Sequence, residues 1–293
     1  MKLSIIVPVY KGENTIVPLY NKIKEALEDK FEYEVIFIND SAIDDSWSKI
    51  LSLGTSEQKR VKGFSLNHNY GQHKAILFGI RAASGDYIIT MDEDIQHDPK
   101  YIPEMLSYLM RNELDVVYGS FTQFKNNGAR KIGSKLGRRI AGLFIPNLYK
   151  GYSPFRIIKG NVAHSLEDAR CVAFIDSQLG NSTNRIGEYP IEHFMNKRPS
   201  SYSFIKLIFI ATIVLITYSI VVRSIFIIFL TFAIGFFINS AIKLITNGPG
   251  LIDLSVSIVL FLSLGSILYN MIILFKRKSI KVISSLDLEQ VPK

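Results

Sequence analysis

Tyr87-Ile88-Ile89-Thr90-Met91-Asp92-Glu93-Asp94-Ile95-Gln96 is the stretch on which the reading of this chain turns. Tyr87–Met91 is a short apolar run of strand character. Three acidic side chains follow it directly. In extended backbone successive side chains alternate, so Asp92 and Asp94 share one side, with Glu93 opposite and Gln96 continuing the alternation. Two hard carboxylates on one side suit Mg²⁺ or Mn²⁺, which leave coordination positions open for phosphate oxygens. A D-x-D tripeptide alone is also common in solvated acidic loops. Its place straight after a strand, fourth in a series, favours the metal site.

On either side of it, short apolar runs alternate with helical patterns. Leu3–Val9, Glu34–Asn39, Val61–Leu66, Tyr87–Met91 and Asp115–Gly119 read as strands. Thr15–Lys30, a segment capped by Asp44 or Asp45 and running to Leu53, Gln72–Ala83, and Ile102–Arg111 with Pro103 in its first turn read as helices. Such alternation predicts an α/β fold, Rossmann-like, with a mostly parallel sheet and helices on both faces. Sheets of this kind bind ligands at the carboxyl ends of their strands. The polar clusters Tyr10–Glu13, Asn39–Asp45, Asn67–Gln72 and Asp92–Gln96 fall there. Neither G-x-G-x-x-G nor G-x-x-x-x-G-K-[ST] follows a strand, which disfavours a dinucleotide fold and a P-loop NTPase.

The chain has 293 residues and a formal net charge of +8, with 48% hydrophobic and 20% charged residues. That composition excludes a disordered chain. A single cysteine excludes a disulfide scaffold, and five scattered histidines with it argue against a zinc site. The charge is segregated. Residues 204–293 carry 8 Lys/Arg and 3 Asp/Glu, against 26 and 23 in residues 1–203. Ser224–Thr246 and Leu251–Phe275 each hold one charge, Lys243 and Asp253, and each is long enough to span a bilayer. The turn Asn247-Gly248-Pro249-Gly250 joins them. Soluble helices are rarely apolar on every face, so a buried hairpin is the weaker reading.

Phe204–Val222 is a third apolar run, flanked by Lys206 and Arg223. The basic cluster Lys276-Arg277-Lys278, with Lys281, is expected in the cytoplasm. Met1-Lys2 leads into only a short apolar run before Pro8, so no secretory signal is expected and the N-terminal domain belongs on the same side. Two spans return the chain to that side and three do not. The expected organisation is therefore a cytoplasmic domain over residues 1–203, an interfacial helix over 204–223, a transmembrane hairpin over 224–275 and a basic cytoplasmic tail over 276–293.

Residues 116–166 hold no Asp or Glu but nine basic residues: Lys125, Arg130, Lys131, Lys135, Arg138, Arg139, Lys150, Arg156 and Lys159. Ile132, Leu136, Ile140, Leu143 and Phe144 interleave with them at helical spacing. An amphipathic basic helix of this kind reads as a membrane-surface element that meets anionic headgroups, about 1 kcal/mol for each basic residue. It also suits the phosphate of a lipid. The basic balance is therefore no pointer to nucleic acid.

Several motifs stand in a recognisable order. They are Ile6-Val7-Pro8-Val9-Tyr10 with Glu13, Val35–Asp40 with Asp44-Asp45-Ser46, Asn69-Tyr70-Gly71-Gln72 through Gly79 to Gly85-Asp86, Thr90–Gln96, Asp115–Ser120, Ser153-Pro154-Phe155-Arg156, and Glu192-His193 through Ser203. In this order they resemble the family 2 glycosyltransferases of GT-A fold. They resemble most the polyprenyl-phosphate branch typified by dolichol-phosphate mannose synthase, bactoprenol glucosyltransferase and undecaprenyl-phosphate aminoarabinose transferase. The chain departs from the pattern at Ser41-Ala42-Ile43, at His68 and at Pro199-Ser200-Ser201.

The resemblance implies that Pro8, Tyr10, Glu13 and Asp40 hold the base and ribose of a nucleotide sugar, a UDP-sugar foremost. It implies that Asp86 touches the ribose or caps a turn. Asp92, Asp94 and Gln96 would place Mg²⁺ or Mn²⁺ on the diphosphate, with Glu93 a spacer. Arg156 is the best single ligand for an acceptor phosphate, because guanidinium binds phosphate bidentately. Arg130, Lys131, Lys135, Arg138, Ser153 and Arg198 would complete that site. A lipid phosphate is already an oxyanion and needs no general base. The expected reaction is therefore an inverting transfer of a sugar to undecaprenyl phosphate at the bacterial inner membrane, in a multi-pass protein. Transfer to a hydroxyl of a lipid-linked saccharide and a non-catalytic membrane subunit are the alternatives, and homo-oligomerisation is left open.

Overall fold

β1 (Lys2–Val9) and β2 (Glu32–Asn39) are buried along nearly their whole length, as expected of parallel strands covered on both faces. They lie at the centre of a computed structural model that describes residues 1–41, 43–121, 147–166 and 175–192, and the backbone of 282–285. The described residues all belong to one of the two compact units into which the chain divides. The predicted interfacial helix, both predicted spans and the basic residues from Lys125 to Arg139 lie outside them. Among the described residues no helix is long and apolar enough to cross a membrane.

The remaining elements are α1 (Ile16–Leu27), α2 (Ser46–Ser56), β3 (Val61–Leu66), α3 (Gln72–Ala82), β4 (Tyr87–Thr90), a 3₁₀ turn at Pro99–Tyr101, α4 (Ile102–Arg111), β5 (Val116–Phe121), β6 (Arg156–Lys159), α5 (Gly160–His164), α6 (Ile175–Ser182), β7 (Ile186–Ile191) and β8 (Val282–Ser285). They form one eight-stranded sheet in the order β7-β5-β6-β4-β1-β2-β3-β8. The pairs β1–β2, β1–β4, β2–β3 and β5–β7 are parallel. β6 is antiparallel to β4 and to β5, and β8 is antiparallel to β3. The mostly parallel α/β architecture read from the sequence is thus observed, with two antiparallel insertions that periodicity did not reveal.

One face of the sheet packs on α1, α2 and α4. Leu3, Ile5, Val7 and Val9 meet Ile16, Leu19 and Ile23 of α1, Ile50 of α2, and Met105 and Leu109 of α4 in a single core. The other face receives α3. The sheet's two edges differ in origin. β7 closes one, and β8, from the far end of the chain, closes the other, where an open edge would otherwise expose the backbone of β3.

At the amino ends of the strands sits a buried polar network. Glu34 accepts hydrogen bonds from Ser4 Oγ (2.6 Å) and from Ser84 N (2.8 Å), and lies 3.2 Å from Lys62 Nζ. Asp86 belongs to this end as well. It precedes β4, accepts from the backbone N–H of Lys2 at 2.7 Å and is largely exposed. The sequence left Asp86 open between a contact to the ribose and a turn cap. The structure puts it at the opposite edge of the sheet from Asp92, because β4 runs its whole length between them.

Candidate active site

β4 ends at Thr90 deep in the sheet, and the acidic stretch turns out of the carboxyl edge directly after it. Asp92 and Asp94 converge as expected, but through a turn instead of extended strand. Ile95 takes a positive φ of 60°, an uncommon and strained conformation for a β-branched residue. That reversal brings Gln96 back onto Asp94. Its backbone N–H donates to Oδ1 at 3.2 Å and its side-chain Nε2 to Oδ2 at 2.5 Å. Asp92 Oδ1 accepts from Gln72 Nε2, at the start of α3, at 2.5 Å.

The two carboxylates repel each other. Burial and the nearby Asp94 push the Asp92 carboxyl up to about 7, against the opposing pull of the Arg156 guanidinium. Among the described residues, Asp92, Asp94 and His97 bring potential ligand atoms within 4.8 Å of one another. A pair of crowded carboxylates whose charge the protein offsets only in part fits a divalent cation.

Glu93 is more than a spacer. It points the other way, here through the turn and not by strand alternation, and accepts the backbone N–H groups of Tyr10 and Lys11, both at 3.0 Å. The approach is close enough that Gly12 has no room for a Cβ, which would stand 2.8 Å from Glu93 Oε2. The loop after β1 is also tied to α2, since Gly12 N donates to Ser46 Oγ at 2.8 Å and Ser46 Oγ donates to Asp44 at 2.5 Å. Tyr10 is 41% exposed on this loop, and Glu13 accepts from Asn14 beside it. Pro8 is buried within β1, beyond the last residue that pairs with β4, where its missing N–H leaves no gap in that ladder.

Asp40 also stands at the carboxyl edge, after β2. It is 4% exposed, and its two oxygens accept the N–H groups of Tyr70 (2.7 Å) and Gly71 (2.8 Å). Gly71 adopts φ 86°, which glycine tolerates best. Burial raises the Asp40 carboxyl above its ordinary range. Its hydrogen bonds tie down the loop that starts α3, and Gln72 follows directly on that loop against Asp92.

Arg156 is placed differently from expectation. It opens β6 and is 1% exposed. Nε donates to Thr90 Oγ1 at 2.9 Å, and Nη1 is paired with Asp176. Tyr118 OH donates to the same carboxylate at 2.9 Å. The guanidinium therefore lies beneath the acidic stretch and is engaged within the fold; it is not presented at the surface to a phosphate. Beside it, burial lowers His73 to about 4, so that imidazole is neutral at pH 7. Ser153 accepts from Phe155 N at 3.3 Å. Arg130, Lys131, Lys135, Arg138 and Arg198 lie outside the described residues. Sequence reasoning missed Gln72, Glu93 and His97 as parts of the site; Gln72 was at least visible in the Asn69–Gln72 motif. It also missed Asp176, for which no local signal existed.

The model for Glycosyl transferase family 2 matches residues 4–165, more than half of the chain, and the chain belongs to this family. An undecaprenyl-phosphate 4-deoxy-4-formamido-L-arabinose transferase of Aeromonas hydrophila is 36% identical over 135 residues, 46% of this chain and 41% of the relative. The protein of the same name from Proteus mirabilis is 34% identical over 136 residues, with the same coverage. The matched region thus spans about two-fifths of the length of these curated relatives. Among solved structures, glucosyl-3-phosphoglycerate synthase from Mycobacterium tuberculosis, in complex with Mn²⁺, UDP-glucose and phosphoglyceric acid, superposes with a TM-score of 0.55 at 17% identity, over 74% of this chain and 79% of that one. S. aureus TarS 1–349 with UDP-GlcNAc gives 0.50 at 18% identity, over 74% and 67%. At these identities the likeness is one of fold, and the fold is GT-A.

Proposed function

We propose that this chain transfers a sugar from a nucleotide sugar, a UDP-sugar foremost, to a polyprenyl phosphate at the cytoplasmic face of a bacterial inner membrane. The observation that carries the reading is the Asp92–Asp94 pair at the carboxyl edge of a GT-A sheet. The names of the curated relatives support the acceptor class. Mg²⁺ or Mn²⁺ held by Asp92 and Asp94 would offset the charge that grows on a departing nucleoside diphosphate. The chain's own residues do the rest. Tyr10 and Glu13 stand at the rim where a base and ribose would lie, on a loop clamped by Glu93. Gln72 and Gln96 hold the two carboxylates in place. The acceptor phosphate brings its own oxyanion, so displacement at the anomeric carbon needs no protein base and inverts the configuration.

The chain's exits from the sheet bear on the number of spans. Phe121, before the basic segment, is in register with Ile191, from which the chain leads toward the apolar runs. On the far side the chain re-enters at Val282, opposite Leu66 at the carboxyl end of β3. Both ends of residues 193–281 therefore lie at one edge of one sheet. A segment that leaves and returns on one side crosses a bilayer an even number of times, which favours two spans with 204–222 lying in the interface.

The test is direct. Full-length protein in detergent, given labelled nucleotide sugars, undecaprenyl phosphate and Mn²⁺, should yield a sugar–phospholipid product, and Asp94→Ala should abolish it. Product formed only on a lipid-linked saccharide, or full activity in Asp94→Ala, overturns the proposal.

A further inference from the structure

We propose that His97 is the third protein ligand of the divalent ion, and that its nitrogen tilts the site from Mg²⁺ toward first-row transition ions. This rests on the reading of Asp92 and Asp94 as metal ligands. The sequence assigned the third position to Gln96, but in the structure the Gln96 amide folds back to donate to Asp94 Oδ2. Gln96 is thus a positioning residue for Asp94.

His97 is 5% exposed and held in a fixed orientation. Its ring stacks on Phe121, with centroids 4.8 Å apart and an interplanar angle of 17°, and leans on Phe155 at 5.5 Å. A ring covered on its face by a phenyl presents its nitrogens only at its edge. One of them lies within 4.8 Å of both carboxylates. Two atoms that share an ion at about 2.1 Å each stand at most about 4.2 Å apart. Small side-chain rotations that draw the three groups together therefore complete the set, and a dication between two repelling carboxylates supplies the force for them.

The donor set then has a chemical consequence. Mg²⁺ keeps its waters and is satisfied by one or two carboxylates, so a nitrogen adds little to its binding. For the first-row ions the gain from nitrogen grows in the order Mn²⁺ < Co²⁺ < Ni²⁺.

The experiment uses full-length, tag-free protein in detergent. Calorimetry gives the affinities for Mg²⁺, Mn²⁺ and Co²⁺, and pulsed EPR of bound Mn²⁺ reads ¹⁴N coupling. The wild type should show an imidazole nitrogen on Mn²⁺ that His97→Gln loses. In that variant Co²⁺ affinity should fall more than about tenfold, Mn²⁺ affinity several-fold and Mg²⁺ affinity less than about twofold. Stoichiometric Mn²⁺ binding that depends on Asp94 but shows no ¹⁴N coupling overturns the role of His97 and leaves the proposed function standing. So does coupling that persists in His97→Gln. Absence of any divalent binding that depends on Asp92 or Asp94 overturns the metal reading itself. The wild-type spectrum decides the matter even if the variant fails to fold.

Discussion

The Glu93 carboxylate receives the backbone N–H of Tyr10 at 3.0 Å, so the middle residue of the acidic triplet faces away from its neighbours and fastens the loop after β1. One stretch thereby serves two ends, with Asp92 and Asp94 toward a cation and Glu93 toward the loop that carries Tyr10 and Glu13. Glu93→Gln should weaken two charge-assisted hydrogen bonds and loosen that loop. KM for the nucleotide sugar should rise about tenfold, equivalent to about 1.4 kcal/mol, while Mn²⁺ affinity stays within about twofold. Steady-state kinetics with calorimetry checks both.

Asp92→Asn removes one of two crowded like charges. The thermal midpoint of the metal-free protein should not fall. The rise in midpoint that Mn²⁺ induces in the wild type should vanish, and transfer activity should drop by at least about 10³-fold. Differential scanning fluorimetry with and without Mn²⁺ measures the first two.

Arg156 and Asp176 form a buried pair. Arg156→Met should destabilise the protein by about 3–5 kcal/mol, because it leaves Asp176 charged and uncompensated, and Arg156→Met combined with Asp176→Leu should recover a large part of this. The comparison of thermal midpoints also separates this role from the one the sequence suggested. If Arg156→Lys kept full stability and raised only the KM for lipid phosphate, the buried pair would not be its function.

Glu34 supplies the pH dependence. Its hydrogen bonds from Ser4 and Ser84 and the charge of Lys62 outweigh the cost of burial and hold its carboxyl below the usual range. Its contribution is therefore fully present above the unfolded value of 4.5 and is lost as pH falls through the lower folded value. Glu34→Gln should cost about 1–2 kcal/mol near pH 7 and flatten the decline of the thermal midpoint below about pH 4.5.

Much of this was legible in the sequence because it is local. The runs Ile5–Val9 and Val35–Ile38 are apolar without interruption, short and rich in β-branched residues, as strands buried on both faces are. The nearness of Asp92 and Asp94 is local too, although a turn and not extended backbone brings them together. What escaped depends on distant partners or on a single dihedral angle. Ile95 reverses the chain, and no property of isoleucine announces it. Arg156 looks like a phosphate ligand because guanidinium binds phosphate bidentately and its box matches the family, but its partner Asp176 comes from α6, twenty residues on, and draws it inside. β8 was read as part of a basic tail because four residues of Val-Ile-Ser-Ser carry no signal without the edge of β3 to receive them. The two roles open to Asp86 could not be separated because a motif gives order along the chain, not which end of a strand a residue occupies.

β8 has a consequence for biogenesis. A ribosome makes residues 193–281 before it makes Val282–Ser285, so β3 stays an unzipped edge until everything between has left the exit tunnel. Among the described strands, the one made last thus completes the sheet. Completion of the sheet therefore requires that the intervening polypeptide come back to where it started, and until it does the border of β3 offers unpaired backbone groups.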